Sequence, residues 1–468
     1  MNKRKILVLL PDGIGLRNFA YSKFYDIGKK EGFDILYWNN TLFPLSNLGF
    51  EEITITNAKI HPFTDILKNA RKQIELNLNI KKTKDSVYDS YRFPNSYKTF
   101  KSTLKNLAIH TITIFFSSKK GLRKVRQLIL TNERKTDYYQ NCLTTLLQEK
   151  PTMVFCTNQR ISFAISPLLA AHDLKIPTAT FIFSWDNLPK GTMVVETDYY
   201  FVWSKLMKEE LLYYYPYIND NQIVIAGTPQ FENHYDKNSI EAKASFFKQN
   251  NLDLDKKYLC FSGDDITTSP DDPSYLEDFV KAIILLNKKG NNLGIIFRRC
   301  PVDISSRYDV IISNYKDLIV EIAPKWENIN NSWNTILPTK EDVILLSNTI
   351  TYSELVVNLG SSMVFDYASH SKPCAYFNYN QKDRSNKNWD LHQCYKYVHF
   401  RSMPTDAVVW LNSPDEIASK IEMMLSDEAQ KVVANAQEWF EKINQHPAED
   451  ASQRIWESIS KICKKETC

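Results

Sequence analysis

One stretch of the sequence decides the expected fold: Ser353-Glu-Leu-Val-Val-Asn-Leu-Gly-Ser-Ser-Met-Val-Phe-Asp-Tyr-Ala-Ser-His-Ser-Lys-Pro-Cys-Ala-Tyr-Phe377. Its apolar run at 355–358 predicts a buried strand, the small residues after it predict a tight turn, and a helix follows. Pro373 then opens a second apolar strand. Strands that alternate with helices are typical of parallel sheets, because two parallel strands need a crossover connection. The stretch therefore predicts one unit of a doubly wound α/β domain.

The same pattern recurs in both directions from this stretch. Lys5–Leu10 is a continuous apolar run, a helical stretch from about Arg17 to Glu31 follows, and 34–38 is the next strand. Continuous runs of this kind are typical of parallel strands that are covered on both faces. The pattern restarts after Gly227-Thr-Pro229. Further strands are predicted at 153–156, 178–183, 199–203, 222–226, 257–263, 293–298 and 317–322, and closing helices at 414–425 and 427–463.

The length of the chain predicts more than one domain. With 468 residues it is too long for one ordinary core. We predict an α/β fold with two Rossmann-like doubly wound domains, residues 1–230 and 231–440, that face an interdomain cleft. A C-terminal helix over 441–468 is expected to pack back on the first domain.

The composition is that of a folded globular protein, with 43% hydrophobic and 24% charged residues. The 58 basic and 54 acidic residues nearly balance, so we expect no nucleic-acid partner. The 8 cysteines form no CxxC pair and indicate free thiols in a reducing compartment. The apolar run after Met1–Lys5 is too short for a signal peptide, so a soluble cytoplasmic protein is expected.

One segment, 98–135, departs from the alternating pattern. It holds ten basic residues against one acidic residue, Glu133, with apolar residues between them. One interpretation is a solvated helix face. The other is a surface that meets an anionic membrane or a phosphate-bearing acceptor, because anionic headgroups attract basic side chains. The second interpretation places the protein peripherally at the inner face of the cell membrane.

The turn within the opening stretch is a candidate phosphate site. Gly360 lets the backbone approach a ligand closely, and Ser361, Ser362 and the amides of the following helix offer donors to an anion. Asp366 lies four residues into that helix. The alternative interpretation is that a serine only caps the helix.

The run from Ser361 to Asp366, followed by Lys372-Pro373, resembles a segment of the glycosyltransferase-B (GT-B) superfamily, which includes UDP-glycosyltransferase and glycogen phosphorylase-like proteins. It is also similar to the CDP-glycerol glycerophosphotransferases of wall polymer synthesis. The resemblance implies that Ser361, Ser362 and Asp366 hold the diphosphate and nucleotide of a donor.

Two more elements extend the resemblance. Phe297-Arg-Arg-Cys-Pro301 looks like a strand-end basic element beside the donor phosphates, with Arg298 and Arg299 as the cations and Cys300 where a histidine is often found. The alternative for the arginines is a surface ion pair. Ile225–Pro229 resembles the segment that ends the N-terminal half of such transferases. By the same resemblance, Ser262 and Gly263 are expected to contact the donor phosphate.

The acceptor side is predicted from the loop Pro11-Asp-Gly-Ile-Gly-Leu-Arg-Asn18. It lacks the complete GxGxxG fingerprint, so binding of NAD or FAD is weakly supported. In the resembling enzymes the corresponding loop handles the acceptor, which implies acceptor contacts for Gly13, Arg17 and Asn18. Asp12 is the first candidate for the general base that deprotonates an acceptor hydroxyl. The alternative is a turn aspartate before a glycine.

A second acceptor loop is predicted at Phe183-Ser-Trp-Asp-Asn-Leu-Pro-Lys-Gly191. Similar Ser-Trp-Asp-Asn stretches occur in bacterial surface-carbohydrate proteins. Trp185 is expected to stack on a sugar, Asn187 or Asp186 to hydrogen-bond its hydroxyls, and Asp186 is the second candidate base. A purely structural loop is the alternative.

Together these elements predict a glycosyltransferase that moves a sugar from a nucleotide-diphosphate donor to a saccharide or lipid-linked acceptor in bacterial surface polysaccharide synthesis. The nucleotide-sugar is a co-substrate, and neither a cofactor nor a metal is expected. One alternative is a nucleotide-sugar epimerase of the same fold, against which the basic segment argues because an epimerase needs no acceptor surface. The other is a non-catalytic nucleotide-binding protein.

Overall fold

The computed structural model describes residues 4–92, 97–329 and 336–465. They divide into two compact units: the first runs to Pro229 and resumes at Asp450, and the second is Gln230–Glu449. Each unit is built around one large sheet of parallel strands. The predicted α/β class with two Rossmann-like domains is therefore confirmed.

The first sheet has seven strands. They are β1 (Lys5–Leu10), β2 (Asp34–Asn39), β3 (Glu52–Thr54), β4 (Met153–Cys156), β5 (Thr178–Phe181), β6 (Tyr199–Val202) and β7 (Ile223–Ile225). All pair in parallel, in the order β3-β2-β1-β4-β5-β6-β7. The central strand β1 is buried from Ile6 onward, which explains its uninterrupted apolar run. Because the strand order reverses between β1 and β4, their carboxyl ends open the crevice in which doubly wound sheets bind ligands.

Helices cover this sheet. They are α1 (Gly15–Phe19), α2 (Phe24–Lys30), α3 (Thr64–Thr83), α4 (Phe100–Phe115), α5 (Lys119–Glu133), α6 (Asp137–Glu149), α7 (Ile165–Asp173) and α8 (Lys205–Tyr214). The single helix predicted after β1 is wrong, since it is broken into α1 and α2. The Ser22 hydroxyl donates to the carbonyl of Asn18 and accepts from the amide of Phe24, so it competes with the helical hydrogen bonds at this point.

The second unit repeats the same topology. Its strands are β8 (Lys257–Ser262), β9 (Leu293–Arg298), β10 (Ile319–Glu321), β11 (Glu327–Asn328), β12 (Ile336–Leu337), β13 (Ser353–Asn358), β14 (Cys374–Phe377) and β15 (Val409–Leu411). The large sheet has the order β10-β9-β8-β13-β14-β15, and β11 pairs with β12 in a separate antiparallel ladder. The strand order reverses between β8 and β13, which places a second ligand crevice at their carboxyl ends.

The remaining helices are α9 (Lys243–Gln249), α10 (Asp272–Lys288), α11 (Asp309–Asn314), α12 (Lys340–Thr351), α13 (Met363–Ser369), α14 (Leu391–Cys394), α15 (Ile417–Met424), α16 (Ala429–Ile443) and α17 (Ala451–Lys465). The helix predicted over 427–463 is thus two helices, and they belong to different units. No helix within the described ranges is long and apolar enough to span a membrane.

The C-terminal helix α17 packs on α2 of the first unit. The fully buried Trp456 lies 4.7 Å from Phe24 and 4.9 Å from Phe33, measured between ring centroids, and its indole nitrogen donates to the carbonyl of Phe24 at 2.7 Å. A Cβ on Gly28 would come within 2.3 Å of the Trp456 ring. A glycine at this position is therefore required for α17 to approach α2 closely.

Candidate functional site

The turn between β13 and α13 has the predicted strand–turn–helix geometry. Gly360 has a φ of +67°, a conformation that favours glycine. The turn is held by the amide of Ser361, which donates to Asn358 Oδ1 at 2.8 Å, and by the carbonyl of Ser361, which accepts from Tyr376 at 2.8 Å. Ser362 is half-buried, and its hydroxyl has no hydrogen-bond partner among the described residues. The Ser361 hydroxyl accepts from the amide of Met363 at 3.4 Å, so of the two serines Ser362 is the one whose hydroxyl has no partner among the described residues.

Arg298 ends β9 and forms a buried ion pair. Its Nη2 donates to both oxygens of Asp342 in the first turn of α12, at 2.8 and 2.9 Å. The same carboxylate also accepts from the amide of Lys325 and from the indole of Trp326. The other terminal nitrogen of Arg298, Nη1, is buried without a hydrogen-bond partner among the described residues. One end of the guanidinium is thus locked, and the other retains donors for an anion.

The neighbouring Arg299 has a different environment. Its Nε donates to Glu321 at 2.7 Å and its Nη1 to the carbonyl of Ser305 at 2.9 Å. This is the ion-pair alternative considered for the two arginines, and a role of Arg299 in donor binding stays a prediction. Burial raises the pKa of the adjacent Cys300 to about 12, so this thiol is protonated at neutral pH.

The carboxylate of Asp366 is buried and paired. His234, in the turn Pro229–Tyr235, lies 2.9 Å from Asp366 Oδ1 through its Nε2. Its Nδ1 lies 3.2 Å from Ser347 and 3.3 Å from His370. Burial and the neighbouring His234 lower the pKa of His370 to about 3, so His370 is neutral at physiological pH. Asp366 therefore holds α13 to the start of the second unit, and its contact with a nucleotide stays a prediction.

Lys372 also has a local partner set. Its Nζ donates to the carbonyls of Ile350 and Thr351, at 2.8 and 2.7 Å. These carbonyls belong to the last turn of α12, where a cation satisfies unpaired acceptors. Lys372, which belongs to the stretch that resembles the GT-B segment, thus caps the C-terminal end of α12 in this chain.

The loop after β8 is packed against carboxylates. A Cβ on Gly263 would lie 3.0 Å from the hydroxyl of Tyr308, so protein atoms fill the space beside this glycine. Asp264 Oδ2 is buried without a hydrogen-bond partner among the described residues. Burial and the nearby Asp272 raise the pKa of Asp264. Ser262 is buried as well, and the contacts of Ser262 and Gly263 with a phosphate stay predictions.

In the first unit, Asp12 lies at the switch point of the sheet. Asn158, which follows β4, donates from Nδ2 to both Asp12 carboxylate oxygens at 3.1 and 3.3 Å. Burial raises the pKa of Asp12 to about 6, against the opposing effects of the Asn158 hydrogen bond and the charge of Arg160. Asp12 is therefore a carboxyl group that is mostly ionised at neutral pH and still basic enough to take a proton.

Arg160 stands beside this carboxylate. Its guanidinium has no hydrogen-bond or ion-pair partner among the described residues, although its backbone amide donates to Asn158 Oδ1 at 3.1 Å. Burial and the charges of Lys190, Arg71 and Arg160 lower the pKa of Lys72 to about 8. The edge of the first sheet thus combines a candidate base with a cationic environment.

The loop after β5 is tied together by its own polar side chains. Asp186 accepts from Ser184 at 2.7 Å and from Asn187 at 2.9 Å, and it forms an ion pair with Lys190. Asn187 in turn accepts from Gln159 at 3.1 Å. Three donors thus fix the orientation of the Asp186 carboxylate within its own loop.

The other predicted acceptor residues are mostly enclosed. The Trp185 side chain is 9% exposed, so little of its ring is open to a sugar. Asn18 is fully buried, donates to Thr228 at 3.4 Å and leaves its Oδ1 without a partner among the described residues. Gly13 is buried and Arg17 is half-buried on α1. Acceptor contacts of all four residues stay predictions.

Sequence reasoning missed several residues that contact candidate site residues, among them Asn158, His234 and Asp342. Asn158 could have been found, because Thr157-Asn-Gln-Arg160 is a polar run directly after a buried strand, where carboxyl-end loops bind ligands. His234 and Asp342 follow no such pattern. They are found only from the fold.

No protein-family model and no curated protein sequence matches the chain. Solved structures match it over nearly its whole length. A putative UDP-N-acetylglucosamine 2-epimerase from Listeria monocytogenes has a TM-score of 0.56 at 9% identity, covering 99% of this chain and 97% of that chain. The UDP co-structure of MnaA from S. aureus has a TM-score of 0.52 at 12% identity, covering 98% and 97%. A glycosyltransferase from Rickettsia africae ESF-5 has a TM-score of 0.51 at 12% identity, covering 98% and 100%.

These matches include both an epimerase and a glycosyltransferase. At such low identity they show a common fold and not a common reaction. The resemblance stated from the turn at Ser361 and Ser362 is confirmed at the level of the fold. The chain has the GT-B fold.

Proposed function

We propose that the protein is a glycosyltransferase that moves a sugar from a nucleotide-diphosphate donor to an acceptor hydroxyl. The second unit would hold the donor, with Ser362 and Arg298 Nη1 as donors to the diphosphate. The first unit would hold the acceptor, with Asp12 as the base. The observation that supports a transferase most directly is the Asp12 carboxyl group, which lies at a ligand-binding sheet edge and has its pKa raised to about 6.

The proposed chemistry assigns one task to each group. Asp12 would take the proton from the acceptor hydroxyl as the oxygen attacks the anomeric carbon of the donor. The bond from that carbon to the diphosphate breaks, and the leaving oxygen gains negative charge. Arg298 Nη1 and the hydroxyl of Ser362 would stabilise this charge with fixed donors. Asn158 would keep the Asp12 carboxylate oriented through its two hydrogen bonds.

The setting that we propose is cytoplasmic, where nucleotide-activated sugars are made, with an acceptor from bacterial surface polysaccharide synthesis. The S. aureus structure that shares this fold was solved with UDP, which favours UDP among the donor nucleotides to be tested first.

We expect one nucleoside diphosphate to stabilise the protein in a thermal panel of UDP, CDP, GDP, CMP and NAD. A ligand at about 100 times its dissociation constant adds about 2.7 kcal/mol of stability. Ser362→Ala should weaken this stabilisation, because it removes a proposed donor to the diphosphate. It should leave the stability of the ligand-free protein unchanged, because the hydroxyl has no hydrogen-bond partner among the described residues. Ser369→Ala is the matched control, since that hydroxyl donates to the carbonyl of Asp366 at the far end of α13. Stabilisation by NAD alone, or by no diphosphate, would contradict the proposal.

We expect Asp12→Asn to lower kcat/KM for transfer by about 10²-fold or more, because a positioned base contributes that much. A base acts when deprotonated, so wild-type activity should fall as the pH drops through about 6. The Asn variant should lack this limb of the pH profile. Activity is measured with the stabilising nucleotide carrying a labelled sugar.

Two controls separate the alternatives. Asp186→Asn should retain most of the activity, and a loss confined to this variant would move the base to Asp186. The donor incubated without an acceptor should remain unchanged. Conversion of the donor sugar to its 2-epimer would instead identify an epimerase, and nucleotide binding with no turnover of any kind would identify a binding protein.

A further inference from the structure

The helix α4 exposes a continuous apolar face to solvent. Phe100 and Phe115 are each 80% exposed, Leu107 and Ile114 are each 60% exposed, and Leu104 is 50% exposed. At 100° per residue these five side chains fall within an arc of about 100° on the helix. A soluble surface rarely carries so many large apolar side chains side by side, which marks the outer face of α4 (these five residues) as an interaction surface.

The opposite face of α4 already has its partner. Ile112 and Phe116 pack against the core of the first unit, and the buried Thr113 donates to the carbonyl of Ile109 at 2.7 Å. α4 lies against α3 through this inner face. One apolar side of the helix is therefore packed on the unit, and the second apolar side is exposed.

The part of the chain that contains α4 and most of α5 carries formal charge of one sign. The sequence from 97 to 132 contains no acidic residue and eight basic residues. Two of these basic residues are neutralised from elsewhere in the unit: Lys105 by Asp65, and Arg126 by Glu75 and Glu196. The remaining six have no ion-pair partner within the described ranges: Lys98, Lys101, Lys119, Lys120, Arg123 and Lys124.

We infer that the outer face of α4 docks on an anionic lipid surface. Exposed Phe and Leu side chains enter the boundary between headgroups and acyl chains, and flanking lysines and arginines contact anionic headgroups. A second copy of the chain fits this face poorly, because face-to-face pairing would bring the same unpaired cations together. With 16 residues, α4 is about 24 Å long and lies on the bilayer instead of crossing it. The inference does not depend on which nucleotide the second unit binds.

The test is sedimentation of the full chain with vesicles of phosphatidylcholine, with and without phosphatidylglycerol. We expect the wild type to bind vesicles that contain phosphatidylglycerol and to be released by salt, because screening weakens the headgroup contacts. Leu107→Gln/Phe115→Gln should lower the partition coefficient at least tenfold. Lys120→Ser/Lys124→Ser should reduce the preference for phosphatidylglycerol.

The matched control is Leu285→Gln/Val310→Gln, which removes two apolar side chains that are 49% and 69% exposed in the second unit. This variant should bind vesicles like the wild type. Failure of the wild type to bind, or equal binding by the α4 variant, would overturn the inference. A dimer that forms without lipid and that only the α4 substitutions dissociate would also overturn the inference, since the face would then serve self-association. The α4 variant should keep the melting temperature of the wild type and the same stabilisation by nucleotide. Its loss of vesicle binding can then be distinguished from a failure of the proposed function.

Discussion

Replacing Arg298 by alanine is expected to lower the free energy of unfolding by about 3–5 kcal/mol, because it leaves the buried carboxylate of Asp342 without its cation. Both side chains are 7% exposed, so water cannot compensate for the lost charge. Asp342 also accepts from Lys325 and Trp326, and these contacts join β9, α12 and the chain between them. The measurement is urea denaturation followed by circular dichroism.

Arg299→Ala is the control for this prediction. The Arg299 side chain is 18% exposed and pairs with the exposed residue Glu321, so its loss should cost about 1 kcal/mol or less. Equal losses of unfolding free energy in the two alanine variants would show that the buried ion pair of Arg298 contributes no more than the exposed pair of Arg299. A double-mutant cycle with Asp342→Asn should give a coupling energy between Arg298 and Asp342, because contacting residues are not additive.

Trp456→Ala is also expected to lower the free energy of unfolding by about 3–5 kcal/mol, because it removes a fully buried indole from between α17 and α2. The cavity would be lined by Phe24 and Phe33, and the carbonyl of Phe24 would lose its donor. Gly28, which also faces this ring, has no side chain that could fill the space. Thermal unfolding monitored by calorimetry checks this prediction.

Glu457→Ala is the control on the same helix. Glu457 is exposed and should change the stability by less than about 0.5 kcal/mol. If Trp456→Ala were equally neutral, α17 would not be an integral part of the first unit.

Much of the fold could be predicted because its central strands are continuous apolar runs. Lys5–Leu10 and Leu293–Arg298 were predicted with the bounds that the structure has. Strands β3 and β15, of three residues each, were missed, although β7 and β10 of the same length were predicted. The break between α1 and α2 was missed because it depends on the hydrogen bonds of one hydroxyl, that of Ser22.

The candidate site was predicted in part for a similar reason. Loops at the carboxyl ends of parallel strands meet at one sheet edge, so Asp12 and Gly360 could be located from strand order alone. The pairing of side chains within the sites could not be predicted, because the partners are distant in sequence: Asn158 is 146 residues from Asp12, and His234 is 132 residues from Asp366. No local sequence pattern indicates which buried polar side chains contact each other. That information is present only in the packing of the elements.

The return of the chain to its first unit has a consequence for biosynthesis. A ribosome makes residues 1–229 long before it makes α17, and the whole second unit is translated between them. Until α17 emerges, the apolar surface around Phe24, Gly28 and Phe33 remains uncovered on the nascent chain. Chaperones that bind exposed apolar surface would find their target there. The N-terminal half, although translated first, can finish folding only after the C-terminal half has been made.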